Sequence, residues 1–343
     1  MIHIDSVRVD LPLKKKFATS SGEAVVKTNV LTILNNRYPG EAAPSVSYGP
    51  TVEEIETDIS KGMDFLKDLE DIDVDTLQGI DLLDICPLAR TALMGMVINY
   101  LSGESKRYAW EILGLGTPLG VKSSITVSVD KSSEMIDAIS NCEYPIVKVK
   151  MGHEEDVLIL DALKQIEDKE IRVDANGGWS CAKAEEMIYH LAGIGVKVIE
   201  QPTDVKFTSE WQHLKGKSEG VELFLDEGLN DLNDYSEHSD NVDGINIKLE
   251  KSGGILEGIR LAEQAREDGK KVMLGCMVGS SVGIAQALYM SSRADYFDLD
   301  GPLLLKKDIA RGIRYDRESI EVDREIIGGP KLKRDVLQKY IST

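Results

Sequence analysis

Eight short apolar segments alternate with amphipathic helical stretches from about residue 122 onward. The predicted strands are ITVSVD (125–130), PIVKVK (145–150), IRVDA (171–175), VKVIEQ (196–201), ELFLDE (222–227), GINIKLE (244–250), KVMLGC (271–276) and DYFDLD (295–300). Eight strand–helix units of about 25 residues favour an α/β fold, a modified (β/α)₈ (TIM-like) barrel, over an open doubly wound sheet. Gly114, Gly116 and Gly120 follow a predicted helix with the wrong spacing for a nucleotide-binding motif.

The first third of the chain has a different sequence pattern. Residues 2–10 and 25–34 alternate like strands, and the small polar stretch 14–24 between them predicts an exposed, mobile loop. Helical patterns follow at about 52–68, 73–80 and 87–102. Thr51, with Glu54 three residues later, predicts a capping box at the first of these helices.

These sequence patterns predict a chain organised in three segments. Residues 1–115 form an α+β capping domain, residues 116–310 form the barrel, and residues 311–343 pack back on the capping domain.

The composition excludes several functions. Apolar residues make up 42% and charged residues 29%, as in globular proteins, and the net charge of −19 disfavours a nucleic-acid partner. Four cysteines show no CxxC pair, which is typical of reduced thiols. The start lacks the apolar stretch of a signal peptide. The sequence contains no run of about 18 apolar residues, so we expect no membrane partner. We therefore expect a cytoplasmic protein.

Three carboxylates end consecutive predicted strands. Asp174, Glu200 and Asp226 are evenly spaced, one strand–helix unit apart, so a barrel brings them to one rim. Unpaired, three such groups would repel one another, whereas a hard divalent cation such as Mg²⁺ takes oxygen ligands and leaves positions for substrate. The alternative is three separate solvated acids. We expect one Mg²⁺ per chain, bound by these three residues.

Lysines end two other strands. Lys148 and Lys150 point to the same side of their strand, and Lys248 lies across the barrel mouth. A lysine close to other cations, or partly desolvated, has a lowered pKa and can act as a base. Two lysines that face each other across a substrate can therefore remove a proton from one face and return it to the other. The alternative is a set of surface lysines.

These residues carry a family resemblance over nearly the whole chain. The motifs are KVK (148–150), DANGGW (174–179), EQP (200–202), DEG (226–228), NIKLEKSGG (246–254), GEAAP (40–44) and GCMVGSSVGIA (275–285). Together they resemble the muconate lactonizing enzyme subgroup of the enolase superfamily, and most of all its dipeptide epimerases. Active sites of that superfamily combine a lysine or histidine base with Mg²⁺.

The resemblance implies a role for each charged residue. Asp174, Glu200 and Asp226 match the Mg²⁺ ligands. Lys150 and Lys248 match the acid/base residues on the two faces. Lys148 matches the lysine that holds the substrate carboxylate, and Glu227 matches an acid beside the second lysine. A homo-oligomer is implied as well.

The reaction within the subgroup is predicted from the last strand. Asp298 and Asp300 can converge on one cation, and this DxD resembles the pair that grips the substrate ammonium in dipeptide epimerases. The predicted activity is inversion of the α-carbon of the C-terminal residue of a dipeptide by 1,1-proton transfer through a metal-stabilised enediolate. The alternatives are an o-succinylbenzoate synthase or cycloisomerase, an N-acylamino acid racemase of the same subgroup, and a non-catalytic barrel.

Further substrate contacts are predicted by resemblance and position. Ser123 and Thr126 resemble a segment that contacts the substrate carboxylate, and Met277 ends the seventh strand. Gly22 stands about where Ala-Glu epimerases carry an arginine that reads the glutamate side chain. The neighbouring Glu23 would suit a neutral or cationic side chain, or is a solvated loop residue.

Overall fold

A computed structural model describes residues 2–19, 22–45, 49–127, 132–153, 156–166, 168–215 and 220–340. The side chains of residues 16–24, 132, 133 and 215 lie outside this description. The bounds of all elements below refer to the described residues.

The N-terminal part is a three-stranded antiparallel sheet covered by helices. The strands are β1 (Ile4–Thr19), β2 (Gly22–Leu34) and β3 (Tyr38–Ala42), and the helices are α1 (Val52–Lys67), α2 (Asp75–Asp81), α3 (Pro87–Ser105) and α4 (Ala109–Ile112). The Thr51 side chain accepts from the Glu54 amide, and the Glu54 side chain accepts from the Thr51 amide, so the predicted capping box is confirmed.

The predicted loop at 14–24 is wrong for the described residues of that stretch, 14–19 and 22–24. β1 runs to Thr19 and β2 begins at Gly22, so the two strands form one long hairpin with an irregularity between Pro12 and Phe17. Polar and small residues lack the apolar alternation of a buried strand, yet pairing with the neighbouring strand satisfies their backbone groups. The hairpin therefore extends beyond the apolar pattern that identified it.

The eight predicted barrel strands are all present in one parallel sheet, in the order β11-β10-β9-β8-β7-β6-β5-β4. They are β4 (Ile125–Val127), β5 (Ile146–Lys150), β6 (Glu170–Asp174), β7 (Val198–Glu200), β8 (Glu222–Leu225), β9 (Gly244–Ile247), β10 (Lys271–Gly275) and β11 (Tyr296–Asp298). A bridge from Ser123 to Phe297 joins the first strand to the last and nearly closes the barrel. The predicted barrel with a capping unit is confirmed.

Helices cover the outside of this sheet. They are α5 (Ser132–Ser140), α6 (Asp156–Leu163), α7 (Cys181–Gly193), α8 (Trp211–Lys215), α9 (Leu232–His238), α10 (Leu249–Ser252), α11 (Ile255–Glu267), α12 (Ser281–Tyr289) and α13 (Gly301–Leu304). Short 3₁₀ helices span Val205–Glu210, Ser239–Asn241, Ser291–Arg293 and Arg324–Ile326. In the described part of the chain, no helix is both long and apolar enough to cross a bilayer.

The chain ends in β12 (Ala310–Arg311), β13 (Ile313–Asp316), β14 (Ser319–Val322), β15 (Lys331–Leu332) and α14 (Arg334–Tyr340). Val336 of this segment shares an apolar cluster with Leu11 and Leu31 of the N-terminal sheet. The Gly328 amide also donates to the Ser102 hydroxyl at 2.9 Å. The C-terminal segment and the N-terminal sheet are therefore packed together beside the barrel.

Candidate active site

Three carboxylates meet at the carboxyl end of the barrel sheet. Asp174 ends β6, Glu200 ends β7, and Asp226 follows β8. All three are buried, and one carboxylate oxygen from each lies within 4.8 Å of the other two. We call these residues the acid trio. Three converging oxygen ligands are the donor set that a hard divalent cation prefers.

The three carboxylates of the acid trio differ in their electrostatic surroundings. Burial, together with the charge of Asp174, raises the pKa of Glu200 to about 8. Burial acts in the same direction on Asp174, but the charges of Lys148 and Lys150 outweigh it and hold that pKa below its usual value. Among the described residues, no hydrogen bond of good geometry reaches Glu200 Oε2. A buried carboxylate oxygen that lacks a well-aligned hydrogen bond, beside two other carboxylates, fits a divalent cation at this site.

Lys148 lies among the acids. Its Nζ is 2.7 Å from Asp298 Oδ2, 3.0 Å from Asp174 Oδ2 and 2.8 Å from Glu200 Oε2, and its side chain is 3% exposed. The 2.8 Å approach to Glu200 is an ion-pair contact, since the angle does not make it a hydrogen bond. Lys148 therefore links the acid trio to the last barrel strand.

The other two lysines stand on opposite sides of the mouth. Lys150 Nζ donates to Asp174 Oδ2 at 2.6 Å. Lys248, directly after β9, donates to Asp226 Oδ2 and lies 3.9 Å from Glu200 Oε1. Three strands separate β5 from β9 in a sheet of eight, so the two ammonium groups face each other across the barrel.

Asp298 and Asp300 are both buried at the last strand. Asp298 accepts from Ser124 Oγ at 2.8 Å and pairs with Lys148, while Asp300 Oδ2 accepts from the Thr126 amide at 2.6 Å. Burial and the charge of Asp298 raise the pKa of Asp300 to about 6. The DxD therefore faces the same mouth as the acid trio, with Asp298 already neutralised by a lysine.

The remaining predicted contacts occupy different places. The Ser123 hydroxyl donates to Ser124 O and accepts from the Leu299 amide. Both hydrogen bonds lie where the first barrel strand meets the last. Met277 follows β10 at the mouth, and its carbonyl packs against Gly301. Gly22 begins β2, but the side chains around it, including Glu23, lie outside the described residues. Their roles stay predictions.

Several residues that support the site were not singled out from the sequence. Lys251 Nζ lies 2.8 Å from Asp226 Oδ1, and Asn246 Nδ2 donates to Glu200 Oε1 at 2.9 Å. Gln201 Oε1 accepts from the Asp226 amide at 3.0 Å. Asn246 lies two residues before Lys248 on the same side of the strand, and this alternation of polar residues was the signal that could have found it.

Glu227 and Asn176 form a second polar contact at the mouth. Asn176 Nδ2 donates to Glu227 Oε1 at 3.0 Å, and the Asn176 amide donates to Asp174 Oδ1 at 2.9 Å. Burial, with the charges of Asp226 and Asp174, raises the pKa of Glu227. Asn176 therefore ties Glu227 to the acid trio.

Two glycines explain how the loops after β5 and β6 come together. A Cβ on Gly178 would lie 2.3 Å from the Gly152 carbonyl oxygen, and a Cβ on Gly152 would lie 2.2 Å from the Ala175 carbonyl oxygen. Asp156 Oδ2 accepts from the Gly152 amide at 2.7 Å and from Trp179 Nε1 at 2.6 Å. The contact holds the strand ends that carry Lys150 and Asp174 next to each other.

Comparison with known proteins places this site in context. The family described as Enolase C-terminal domain-like matches residues 131–315. The chain is 28% identical to the L-Ala-D/L-amino acid epimerase of Flavobacterium johnsoniae, over 80% of this chain and 82% of the relative. It is 30% identical to the L-Ala-D/L-Glu epimerase of Bacteroides thetaiotaomicron, over 80% of this chain and 72% of the relative.

The fold has close structural counterparts. The substrate-liganded L-Ala-D/L-Glu epimerase from Bacillus subtilis superimposes with a TM-score of 0.85 at 23% identity, and the match covers 96% of each chain. At that identity the likeness shows the fold, which is a barrel with a capping unit in both proteins.

Proposed function

Because the chain belongs to the enolase C-terminal domain-like family and is an isomerase of the racemase and epimerase class, we propose that it is a Mg²⁺-dependent dipeptide epimerase. The reaction inverts the α-carbon of the C-terminal residue of a dipeptide. The observation that carries the proposal is the pair Lys150 and Lys248 on opposite sides of the mouth, with the acid trio between them.

The two lysines carry out the proton transfer. A proton beside a carboxylate is very weakly acidic, and its removal leaves an enediolate that carries extra negative charge. One lysine, as the neutral amine, takes the proton from one face, and the other, as the ammonium, delivers a proton to the opposite face. Lys150 and Lys248 exchange these roles when the reaction runs in reverse.

The acid trio would hold the cation. When bound, Mg²⁺ supplies positive charge that stabilises the substrate carboxylate as negative charge develops on it. Lys148 lies next to the same position and adds an ammonium group on that side. Asn246 and Gln201 orient Glu200 and Asp226 through their hydrogen bonds.

The last strand selects the substrate. A dipeptide carries an ammonium group on the side opposite its carboxylate, and Asp298 and Asp300 provide negative charge there. Lys148 neutralises Asp298, so Asp300 makes the larger contribution. Muconate-like substrates carry a carboxylate in place of the ammonium group and would be repelled.

A second candidate function is an N-acylamino acid racemase. The pairing of Asp298 with Lys148 favours it, since an N-acyl group is neutral and needs less negative charge at the last strand. The chemistry at Lys150 and Lys248 would be the same.

The experiment is a mass-shift screen in D₂O with Mg²⁺. The protein is incubated with a library of L-Ala-L-X and L-X-L-Y dipeptides and with matched N-acetyl and N-succinyl amino acids. A gain of one deuterium in a subset of dipeptides supports the epimerase. Gain in the N-acyl compounds alone supports the racemase, and no exchange in either set, with the metal shown to be bound, contradicts both.

The variant Asp300→Asn sharpens the screen. It removes a charge from the proposed ammonium site, and we expect the kcat/KM for dipeptides to fall about 10- to 100-fold. The kcat/KM for N-acyl compounds should change little. An unchanged dipeptide rate would mean that Asp300 does not bind the ammonium group.

A further inference from the structure

The second of the two facing lysines stands at the start of a helix that is only one turn long. Lys248 is the residue before α10, and the helix ends at Gly253 in the left-handed conformation. The Lys248 carbonyl oxygen accepts from the Lys251 amide at 2.8 Å and from the Ser252 amide at 3.1 Å. A single turn is not stable in isolation, so the conformation of α10 depends on what packs against it.

The two ends of this turn hold one member of the acid trio. Lys248 Nζ donates to Asp226 Oδ2, and Lys251 Nζ lies 2.8 Å from Asp226 Oδ1. Lys251 Nζ also donates to the Asp226 carbonyl oxygen. A displacement of α10 would therefore move the proposed base relative to the carboxylate that it contacts.

Two glycines allow helix α3 of the N-terminal part to lie directly on α10. Gly253 and Gly254 both have a positive φ, at 85° and 108°. A Cβ on Gly253 would lie 2.9 Å from Arg90 Nη1, and a Cβ on Gly254 would lie 2.6 Å from Met94 Sδ. Both neighbours are side chains of α3, so the absence of side chains at the two glycines leaves room for the close approach.

A buried threonine of α3 makes a hydrogen bond across this contact. Thr91 is 1% exposed, and its hydroxyl donates to the Leu249 carbonyl oxygen at 2.7 Å. The hydroxyl also lies 2.9 Å from the Pro87 carbonyl oxygen, one turn earlier in α3, so its single hydrogen is shared between two acceptors. The shorter contact crosses from the N-terminal part to the barrel. Leu249 directly follows Lys248, so this contact meets the chain next to the proposed base.

The backbone of Thr91 is itself fixed by another barrel helix. Gln286 Nε2 of α12 donates to the Thr91 carbonyl oxygen at 2.9 Å, and Gln286 is 2% exposed. A Cβ on Gly95 would lie 2.5 Å from Gln286 Nε2, so α12 also approaches α3 closely. Thr91 is therefore held by α12 while its hydroxyl holds α10.

The other lysine is held by different contacts. Lys150 ends β5, and the Gly152 and His153 amides that follow it donate to Asp156 Oδ2 at 2.7 Å and 2.9 Å. Neither of these hydrogen bonds involves α3. A change in the contact between α3 and α10 should therefore act on Lys248 and leave Lys150 in place.

We propose that Thr91 is a positioning residue for Lys248, which acts from helix α3 through the Leu249 carbonyl oxygen. This inference rests on the proposed epimerase function, and it assigns the N-terminal part a role on one face of the substrate. The Thr91 hydroxyl fixes the turn that Lys248 begins, and thereby keeps Lys248 Nζ in line with the proton that it removes or returns.

The test measures α-proton exchange of the two diastereomers separately, in D₂O at saturating Mg²⁺, on a dipeptide that the unmodified protein epimerises. Lys248→Met identifies the diastereomer whose proton faces Lys248, since exchange of that diastereomer is lost. In Thr91→Val we expect its kcat for exchange to fall about 10-fold, because a small displacement of the base lowers the rate steeply. Exchange of the other diastereomer should change little.

Two further variants separate the hydrogen bond from the side-chain shape. Thr91→Ser keeps the hydroxyl and should restore most of the rate, and Thr91→Ala is a second variant without the hydroxyl should the valine variant fold poorly. The matched control is Thr57→Val on α1. The exposed Thr57 hydroxyl donates to the Glu53 carbonyl oxygen at 2.8 Å, one turn earlier in its own helix, so this variant loses a hydrogen bond within a helix and no contact with α10. It should behave like the unmodified protein.

The outcomes distinguish positioning from a general loss of stability. Exchange that is unchanged in Thr91→Val, or that slows equally for both diastereomers, would overturn the inference. A Thr91→Ser variant as slow as Thr91→Val would overturn it as well.

A second measurement keeps this inference separate from the proposed function. If the unmodified protein exchanges the α-proton of no dipeptide, the epimerase proposal fails, and amide hydrogen exchange of the protein then decides on Thr91. Faster exchange in Thr91→Val of the amides of 251–254, with the Met151 and Asn176 amides near Lys150 unchanged, supports the positioning role. Unchanged exchange at 251–254, or an equal increase in both places, overturns it.

Discussion

Lys150 and Lys248 are held in different surroundings although the same chemistry is proposed for both. Lys150 is partly exposed, at 19%, and pairs with Asp174, whereas Lys248 is buried beside Asp226 and Glu200. Both partners belong to the acid trio. Each lysine is thus oriented by a residue that would also bind the cation, which couples the position of the base to that of the metal.

Single substitutions at these lysines should separate the two faces of the reaction. In Lys150→Met and in Lys248→Met, interconversion of the two diastereomers should fall about 10³-fold or more, because one proton donor or acceptor is missing. Each variant should still exchange the α-proton of one diastereomer with D₂O, since the remaining lysine can return a solvent deuteron to its own face. NMR of the L,L and L,D forms measures both rates.

The control for this experiment is Lys164→Met. Lys164 is an exposed lysine that pairs with Asp161, in the segment that follows the strand carrying Lys150. It should leave both rates unchanged. If Lys150→Met and Lys248→Met exchange the same diastereomer, the assignment of one lysine to each face is wrong.

The polar residue behind the acid trio leads to a second prediction at this scale. Asn246→Ala removes the hydrogen bond to Glu200 Oε1, so that carboxylate is no longer held toward the site. We expect Mg²⁺ affinity to fall about 10- to 100-fold. A Mg²⁺ titration followed by calorimetry measures it, with the exposed Asn233→Ala as the matched control. Equal affinity in both variants would contradict a supporting role for Asn246.

At the scale of elements, one carboxylate joins the N-terminal sheet to a barrel helix. Glu41 at the end of β3 is buried and accepts from Asn29, from the Ser280 amide and hydroxyl, and from the Gly283 amide at 2.8 Å. The Ser280 and Gly283 groups form the first turn of α12, where the helix leaves amides unpaired. Glu41 and Ser280 belong to GEAAP and GCMVGSSVGIA, two motifs that are far apart in the chain.

Replacement of Glu41 should weaken the molecule at this contact. Glu41→Gln puts an amide donor where backbone amides already donate, so we expect a loss of about 1–3 kcal/mol in the free energy of unfolding. Urea unfolding measures it, with Glu53→Gln, at an exposed glutamate of α1, as the control that should change by less than about 0.5 kcal/mol. A loss no larger than in the control would show that the contact contributes little.

The sequence predicted elements well where their residues alternate strongly. All eight barrel strands were found, because a strand buried in a parallel sheet shows as a short apolar segment. The strand segments 14–19 and 22–24 were missed, since their polar and small residues carry no such pattern. Helix α13 is a single turn, Gly301–Leu304, too short to show a helical period.

At the scale of the whole molecule, the site is assembled from charged side chains of six barrel strands, and the N-terminal sheet packs against the segment that follows β10. The acid trio comes from three of these strands. Against the effect of burial, nearby lysines hold the pKa of Asp174 and of Asp226 below the usual value, whereas burial and the charge of Asp174 raise the pKa of Glu200 to about 8. The unfavourable negative charge is therefore concentrated on Glu200. A cation that binds the folded protein and not the unfolded chain should therefore stabilise the fold.

Metal addition should raise the melting temperature. At a Mg²⁺ concentration of about 100 times the dissociation constant, binding contributes about 2.7 kcal/mol, which corresponds to an increase of a few degrees. Thermal unfolding with Mg²⁺ and with EDTA, at equal ionic strength, measures the shift. The double variant Asp174→Asn, Glu200→Gln should show none. A shift of equal size in that variant would mean that the cation binds elsewhere.

The sequence by itself determined the barrel, the capping unit, the spacing of the acid trio and the presence of lysines at two facing strands. Periodicity and the residues at strand ends can be recognised within short continuous segments of the chain, so these features need no knowledge of distant contacts. The family could be recognised for the same reason, since its motifs are continuous segments.

Only the tertiary structure decided which charges are paired and which are not. Lys148 is bound by acids from three strands, Lys251 reaches Asp226, and Asp298 is neutralised before any substrate arrives. Lys27 looks like an ordinary strand lysine in the sequence, and its burial, with the Pro44 carbonyl as hydrogen-bond acceptor, is visible only in the folded chain. Burial and ion pairing depend on residues distant in the chain, so no local pattern could predict them.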